Sequence, residues 1–309
     1  MTFSVVTVNW NSRDDLRACL SSLATQTYVD LEVLVVDNAS SDGSAEMVRS
    51  LFPQFTLLQQ SQNLGFAEGC NVGIAHSTGG WIALLNNDAV AEADWAEKLV
   101  AATTLAPPSC GMLQSLMLFQ RTPPTVNSTG IRLSRLGSGR DRGEGEPPPE
   151  RGRRWEPIFC PTCGAAALRR SMLDAIKLST GYFDQRHFCY YEDLDLGWRA
   201  RLAGFDALYV PDSIVRHKYH GTTARMSRAW LVELATTNRV RTLLKNASWR
   251  FMTRSLLYTV SQFFRMIFIC GPAAAPKYFT AARDSLRLRP EVERTRRIPR
   301  RAIERQWVE

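Results

Sequence analysis

Four apolar runs, each followed by a stretch of helical periodicity, fill the first hundred residues and leave few folds open to the chain. FSVVTVN (3–9), LEVLVVD (31–37) and WIALLN (81–86) are nearly continuous in branched aliphatic residues, and FTLLQQ (55–60) is a shorter strand. Between them lie SRDDLRACLSSLATQ (12–26), with Ser12 as N-cap and Leu16, Leu20 and Leu23 at helical spacing, SDGSAEMVRSLF (41–52), the loop and helix of GFAEGCNVGIAHS (65–77), and ADWAEKLVAATTLA (93–106). A strand apolar on both faces is covered on both faces, and strands alternating with helices run parallel. The spacing therefore predicts an α/β domain with a mainly parallel sheet.

The pattern changes after Pro107. MLQSLMLF (112–119) and STGIRLSRL (128–136) read as strands, whereas SGRDRGEGEPPPERGRR (138–154) has almost no apolar content and reads as a flexible loop. Order resumes at IFCPTCGAAALRRSMLDAI (158–176), and YEDLDLGWRARLAGF (191–205) reads as a helix with Leu194, Trp198, Leu202 and Phe205 along one face. From Ser227 onward the chain is helical in character and rich in Arg, Leu and Phe.

Composition narrows the class further. With 45% hydrophobic and 22% charged residues, 309 residues support a sizeable core, and a net charge of +8 favours anionic partners. The positive charge sits in the 138–154 loop and the tail, with no basic sheet interleaved with aromatics, so nucleic acid is not the expected partner. The seven cysteines are scattered in apolar contexts, as expected of reduced thiols, and CPTC (160–163) lacks the second pair a zinc site needs. The opening MTFSVVTVNW has no basic n-region, so no secretory signal is expected. LLYTVSQFFRMIFICG (256–271) is interrupted by Gln262 and Arg265 and falls short of the roughly twenty apolar residues of a membrane span; an amphipathic surface helix remains open.

In an open parallel sheet, ligands sit beyond the carboxyl ends of the strands. Here those ends read VNWNS, VDNASSDGS and LNNDAV, with NLGFAEGCNVG adding glycines that permit close backbone approach. One polar strand end means little, since Asn and Asp also cap helices and form turns; three on one rim is a site-like concentration. Neither GxGxxG nor GxxxxGK[ST] is present, so phosphates would be held by other means. A carboxylate among amides suits a hard divalent cation, although Asp88 alone reads equally well as a cap or turn residue.

In order and spacing, SVVTVNWN (4–11), LEVLVVDNASSDGS (31–44), QNLGFAEGCNVGI (62–74), LLNNDAV (84–90), FCPTCGAAALRRSM (159–172), GYFDQRHFCYYEDLDLGWRARLAGF (181–205) and VRHKYHGTT (215–223) resemble inverting glycosyltransferases of family 2, in the rhamnosyltransferase-like branch. The stretch TNRVRTLLKNASWRF (237–251) resembles that branch too. The resemblance implies a GT-A nucleotide-diphospho-sugar transferase fold over residues 1–225. Residues 1–106 would form the nucleotide-sugar half and residues 107–225 the acceptor half, with a flexible loop at 137–155. A basic helical region, 226–309, would associate with membrane.

By the same resemblance, Asp37 contacts the nucleotide base, Asn9 and Asn11 line its pocket, and Asn63, Gly65 and Asn71 shape the ribose and diphosphate side. Asn86, Asn87 and Gly164 join the substrate-binding positions. LNNDAV stands where the family places a DXD-type metal motif, with Asp88 as ligand to Mg2+ or Mn2+ and Asn86 in place of the first Asp. His217 would complete the metal shell, with His220 as its alternative. Asp193 would be the general base, with Glu192 and Asp195 supporting position and charge; as a purely local feature, EDLD also complements a helix dipole. Trp198 is expected in the core.

The expected activity is inverting transfer of a sugar, rhamnose from dTDP-rhamnose being favoured, to a hydroxyl of a lipid-linked cell-surface glycan. The expected location is cytoplasmic, on the inner face of the cytoplasmic membrane, with an anionic membrane surface as partner. The rival expectation is a nucleotide-sugar-binding scaffold that has lost catalysis, suggested by Asn86.

Overall fold

The computed structural model describes residues 2–150, 152, 154–218 and 226–309. It opens with β1 (Phe3–Asn9), α1 (Arg13–Ala24), β2 (Leu31–Asp37), α2 (Ser44–Leu51), β3 (Thr56–Gln59), α3 (Gly65–His76) and β4 (Trp81–Leu85). There follow β5 (Ala89–Ala91), α4 (Trp95–Leu105), β6 (Cys110–Phe119), β7 (Val126–Ser128), β8 (Ile131–Leu133), β9 (Gly139–Asp141) and β10 (Glu156–Pro157). The sheet region closes with β11 (Ala165–Arg169), α5 (Arg170–Ile176), α6 (Glu192–Leu202) and β12 (Asp206–His217). The helices α7 (Arg228–Asn246), α8 (Trp249–Arg254), α9 (Leu256–Cys270), α10 (Ala274–Thr295) and α11 (Arg300–Trp307) complete the chain.

The main sheet runs in the order β10-β12-β6-β11-β4-β1-β2-β3, with β5 paired to β12 and β7 to β6. The strands β4, β1, β2 and β3 are mutually parallel, as their aliphatic runs predict. Alternate residues serve opposite faces. Val6, Leu34 and Val36 pack with Ala67, Cys70 and Ile74 of α3, while Val5, Val33 and Val35 pack with Leu16, Leu20 and Leu99 of α1 and α4. Helix α3 lies tight on β1: a Cβ at Gly73 would come within 2.2 Å of Val6 Cγ1.

A reversal in mid-sheet places the site. β11 runs antiparallel to both β4 and β6, and β12 runs parallel to β6. Two reversals restore direction, so the carboxyl ends of β6 and β12 share a rim with those of β1, β2 and β4. The single reversal brings the segment entering β11 to that same rim, where Ala165 pairs with Leu85.

The stretch expected as a flexible loop at 137–155 contains β9, which pairs with β8 from Ile131↔Asp141 to Leu133↔Gly139. The ladder continues where Thr129 N donates to Arg142 O and Val126 N donates to Glu146 O. Backbone hydrogen bonds, which composition does not register, order this segment. The 128–136 stretch is divided between β7 and β8 by Gly130, whose φ of 120° breaks the run.

The C-terminal helices share the core of the sheet. Leu243, Ala247, Phe251, Leu288, Val292 and Ile303 belong to the cluster that contains Leu34 and Ile82. Glu309 N donates to Leu133 O, and Trp307 packs 6.1 Å from Phe159, ring centre to ring centre. Trp198 is fully buried, with Phe159 and Phe251 edge-on at 6.0 Å.

Candidate active site

At the shared rim lies a pocket of about 560 Å³. Of the residues singled out from sequence, Asn9, Asn63, Gly65, Asn86, Asn87, Asp88, Gly164, Glu192, Asp193 and His217 line it. Asn11, Asp37, Asn71 and Asp195 do not line it, and His220 lies outside the described residues.

The β1 and β2 ends form one hydrogen-bonded unit. Asn9 Nδ2 donates to Asp37 Oδ1 and to Ser40 Oγ, both at 3.2 Å, and Ser40 N donates to Asp37 Oδ2 at 3.1 Å. Asp37 is thereby committed to holding the rim and is 1% exposed. Asn11, at φ 50°, accepts from Ser41 N through its side chain at 2.8 Å. Asn87 Nδ2 donates to Asn9 Oδ1 at 2.8 Å and ties the β4 end to the same unit. Sequence reasoning missed Trp10 and Asn38, which face the pocket. Asn38 Nδ2 donates to the Gly65 carbonyl at 2.9 Å.

The 63–65 turn is held by Gly65 N donating to Asn63 Oδ1 at 2.9 Å. Gly65 has φ 82°, and a Cβ there would lie 2.6 Å from the Phe188 ring, so both backbone sign and space require glycine. Asn71 brackets the Phe183 backbone, accepting from its N–H at 2.8 Å and donating to its carbonyl at 2.9 Å. That is a structural bridge from α3 to the segment before α6.

Asp88 and His217 meet because β5 pairs with β12. Their Oδ1 and Nε2 atoms are 2.9 Å apart, and His217 Nδ1 lies 2.8 Å from Asn127 Oδ1. A proton on Nδ1 directed at that amide oxygen leaves the Nε2 lone pair facing Asp88. Asn86 Nδ2 is 3.3 Å from the same Nε2. No cluster of three or more metal-ligating side chains occurs among the described residues. The Asp88–His217 pair nevertheless fits a hard divalent ion that takes one or two protein ligands, with diphosphate oxygens and water supplying the rest.

Opposite this pair, the start of α6 presents Glu192 and Asp193. Burial, then the neighbouring Asp193, pushes the Glu192 carboxyl well above its usual range, and its Oε2 meets no hydrogen-bond partner among the described residues. Burial also raises Asp193, to about 6, with Asp141 adding to the effect while the Leu194 N–H opposes it. Burial and neighbouring carboxylates thus raise both carboxyls, and the two environments differ, as expected where neighbouring acids divide their roles. Asp141, on β9, faces the same pocket, and burial raises its carboxyl as well. Composition had assigned that stretch to a loop, so no sequence signal pointed to it. Asp195 is fully buried, bonded to Arg199 at 3.0 Å and to Lys245 at 2.9 Å.

The cysteine motif serves shape. Cys160 is buried against Gly197, where a Cβ would come within 2.2 Å, and Cys163 is a buried free thiol beside Gly164.

A parallel–antiparallel sheet with amide-rich strand ends, an Asp–His pair and a buried carboxylate pair on one rim defines a GT-A glycosyltransferase. The chain belongs to glycosyl transferase family 2, whose profile matches residues 4–177. It is 28% identical over 257 residues to the N-acetylglucosaminyl-diphospho-decaprenol L-rhamnosyltransferase of Mycobacterium tuberculosis, covering 71% of this chain and 76% of that protein. Glycosyltransferase AglE of Haloferax volcanii is 32% identical over 103 residues, 32% of this chain and 34% of that protein.

Among solved structures, GalNAc-T7 with UDP, GalNAc and Mn2+ aligns at TM-score 0.61 and 16% identity, over 79% of this chain and 48% of that one. The mannosyltransferase PcManGT of Pyrobaculum calidifontis with GDP-Man and Mn2+ aligns at 0.55 and 17%, over 99% of this chain and 87% of that one. S. aureus TarS 1-349 with UDP-GlcNAc aligns at 0.55 and 16%, over 98% and 88%.

Proposed function

We propose that the protein is an inverting, metal-dependent glycosyltransferase that moves a sugar, rhamnose from dTDP-rhamnose being the favoured donor, to a hydroxyl of a lipid-linked cell-surface glycan. The observation that carries this reading is the convergence of Asp88–His217 and Glu192–Asp193 on one pocket. Asp88 and His217 would hold Mg2+ or Mn2+, which offsets charge on the departing diphosphate. Asn9, Asn63, Asn86, Asn87 and the Gly65 and Gly164 backbones shape the donor side. Asp193, ionised near neutral pH, takes the acceptor hydroxyl's proton as that oxygen attacks the anomeric carbon and the bond to the diphosphate breaks. With Asp193 as the one base and Glu192 supporting its position and charge, no second carboxylate is assigned as a nucleophile, and a single displacement with inversion follows. The rhamnosyl donor and the lipid-linked acceptor rest on the activity for which the mycobacterial relative is named.

An anionic membrane surface, on the cytoplasmic side, is the proposed location. No helix among the described residues is long and apolar enough to cross a membrane. Instead, Leu257, Val260, Phe264 and Phe268 form one exposed stripe along α9, with Leu257 86% and Phe268 92% exposed. Residues 247–283 contain five Lys or Arg side chains and no Asp or Glu. An apolar ridge in a purely basic setting suits insertion between anionic headgroups. The transfer reaction is tested by incubating the protein with separate nucleotide sugars and a polyprenyl-diphosphate sugar on vesicles, with and without manganese, and weighing the product. No added mass with any donor would leave the scaffold reading standing.

A further inference from the structure

The turn that delivers Glu192 and Asp193 is strained. Phe188, Tyr190 and Tyr191 all have positive φ, at 61°, 66° and 71°, within four residues. Bulky side chains avoid this region, so such a turn persists only where its surroundings over-determine it. The surroundings here are one face of α7. Asn238, Thr242, Lys245 and Asn246 are spaced at i, i+4, i+7 and i+8, and all four are fully buried.

Each of the four bonds to the segment between Asp184 and Asp195. Asn238 Nδ2 lies 2.7, 2.9 and 2.9 Å from the carbonyl oxygens of His187, Cys189 and Tyr190, which share its two hydrogens. Thr242 Oγ1 meets His187 Nε2 at 3.2 Å. Lys245 Nζ bridges Asp184 at 2.6 Å and Asp195 at 2.9 Å, and Asn246 Nδ2 donates to Asp195 at 2.8 Å. Although burial opposes it, Lys245 and Arg199 hold the Asp195 carboxyl below its usual range.

A helix that had only to cover apolar area would carry leucines at these positions, because buried ion pairs seldom add stability over well-packed apolar groups. We propose that this polar face of α7 is a template that holds the 188–191 turn, with Asn238 as the positioning residue that sets where Glu192 and Asp193 sit in the pocket. Lys245 and Asn246 fix the same helix one turn further along through Asp195, the third carboxylate of the EDLD motif. Helix α7 is then part of the acid–base apparatus although none of these four side chains lines the pocket. The inference rests on the proposed assignment of Asp193 as base.

The test uses the full chain with Asn238→Leu, which keeps the branched shape, adds some bulk and removes the amide, and Asn238→Ser, which keeps one hydroxyl donor. Three quantities are read: amide exchange by mass spectrometry at 187–195 and at β1–β2, manganese-dependent thymidine diphosphate affinity, and transfer rate. In Asn238→Leu, exchange at 187–195 and the loss of transfer should each change by about tenfold or more, the equivalent of one or two buried hydrogen bonds, with β1–β2 exchange and nucleotide affinity held within about twofold. Asn238→Ser should fall between. Unchanged exchange at 187–195, or an equal rise over the whole chain in both variants, would overturn the template. Locally raised exchange with wild-type transfer would uphold the clamp and remove Asp193 from the chemistry, separating this inference from the one beneath it.

Discussion

His217 Nε2 lies 2.9 Å from Asp88 Oδ1 across 129 residues of chain, and Asn127 Oδ1 fixes the other ring nitrogen at 2.8 Å. Three strands, β5, β7 and β12, supply or flank these groups, so the pair is preorganised by the sheet and not by a loop.

Asp88→Ala should abolish manganese-dependent binding of nucleoside diphosphate with the fold intact. Asn127→Ala should weaken it by about 10–100-fold, since it leaves both ligands in place and frees only the ring that Asn127 orients. Titration calorimetry with thymidine diphosphate, with and without manganese, separates the two. Equal affinity in wild type and Asp88→Ala would remove this pair from the metal site.

Asp193→Asn should lower transfer by at least about 100-fold while nucleotide affinity barely moves, because the amide keeps the size of the carboxylate and cannot accept a proton. In the wild type, the base must be ionised, so transfer should climb with pH through about 6, where burial has raised this carboxyl. A pH profile flat from 5 to 8 would contradict the assignment.

The same shift makes a stability prediction of definite sign. The Asp193 carboxyl titrates at about 6 in the fold against 3.8 ordinarily, so folding favours its protonated form. That contribution is fully present below 3.8 and is lost as pH rises through about 6. Asp193→Asn leaves Asn238 and the rest of the template in place, and the amide it introduces has no proton to lose. The melting temperature of Asp193→Asn relative to wild type should therefore be higher at pH 8 than at pH 4, measured by scanning calorimetry at both.

Gly65→Ala should destabilise by about 1–3 kcal/mol, from a positive φ and a contact inside van der Waals range. The contact partner is the Phe188 ring, 2.6 Å from the added Cβ. Chemical denaturation measures the cost; a change below a few tenths of a kcal/mol would show that Phe188 yields freely.

Phe264→Glu with Phe268→Glu should abolish pelleting with anionic vesicles at moderate salt and leave transfer to a short, water-soluble acceptor near wild type. Undiminished pelleting would reassign the α9 stripe to a contact between protein chains.

Much of the fold was legible because it rests on local patterns. Strands β1, β2 and β4 are aliphatic runs flanked by turn residues, and helices α1 to α4 lie where the apolar spacing predicts them. The polar strand ends that line the pocket were readable for the same reason: parallel strands carry their carboxyl ends to one rim whatever their side chains. Strand β5 was not legible, since three residues of Ala and Val carry no periodicity of their own and become a strand by pairing with β12. Nor was β9, whose Gly-Arg-Asp sequence lies in a stretch poor in apolar residues and is organised by the backbone of β8.

Sequence by itself determined the residues EDLD and the helix they begin; only tertiary structure divided their work. Glu192 and Asp193 face the pocket, and Asp195, two residues on, is turned into the interior against Lys245, 50 residues later in the chain. Asp37 followed the same course: its place at a strand end was readable, but the hydrogen bonds from Asn9 and Ser40 that commit it to the rim were not. The physical reason is range. Periodicity and capping act within a few residues and are written in order along the chain, whereas burial, proton affinity and hydrogen-bond partnership depend on which distant side chains the packed fold brings within about 3 Å.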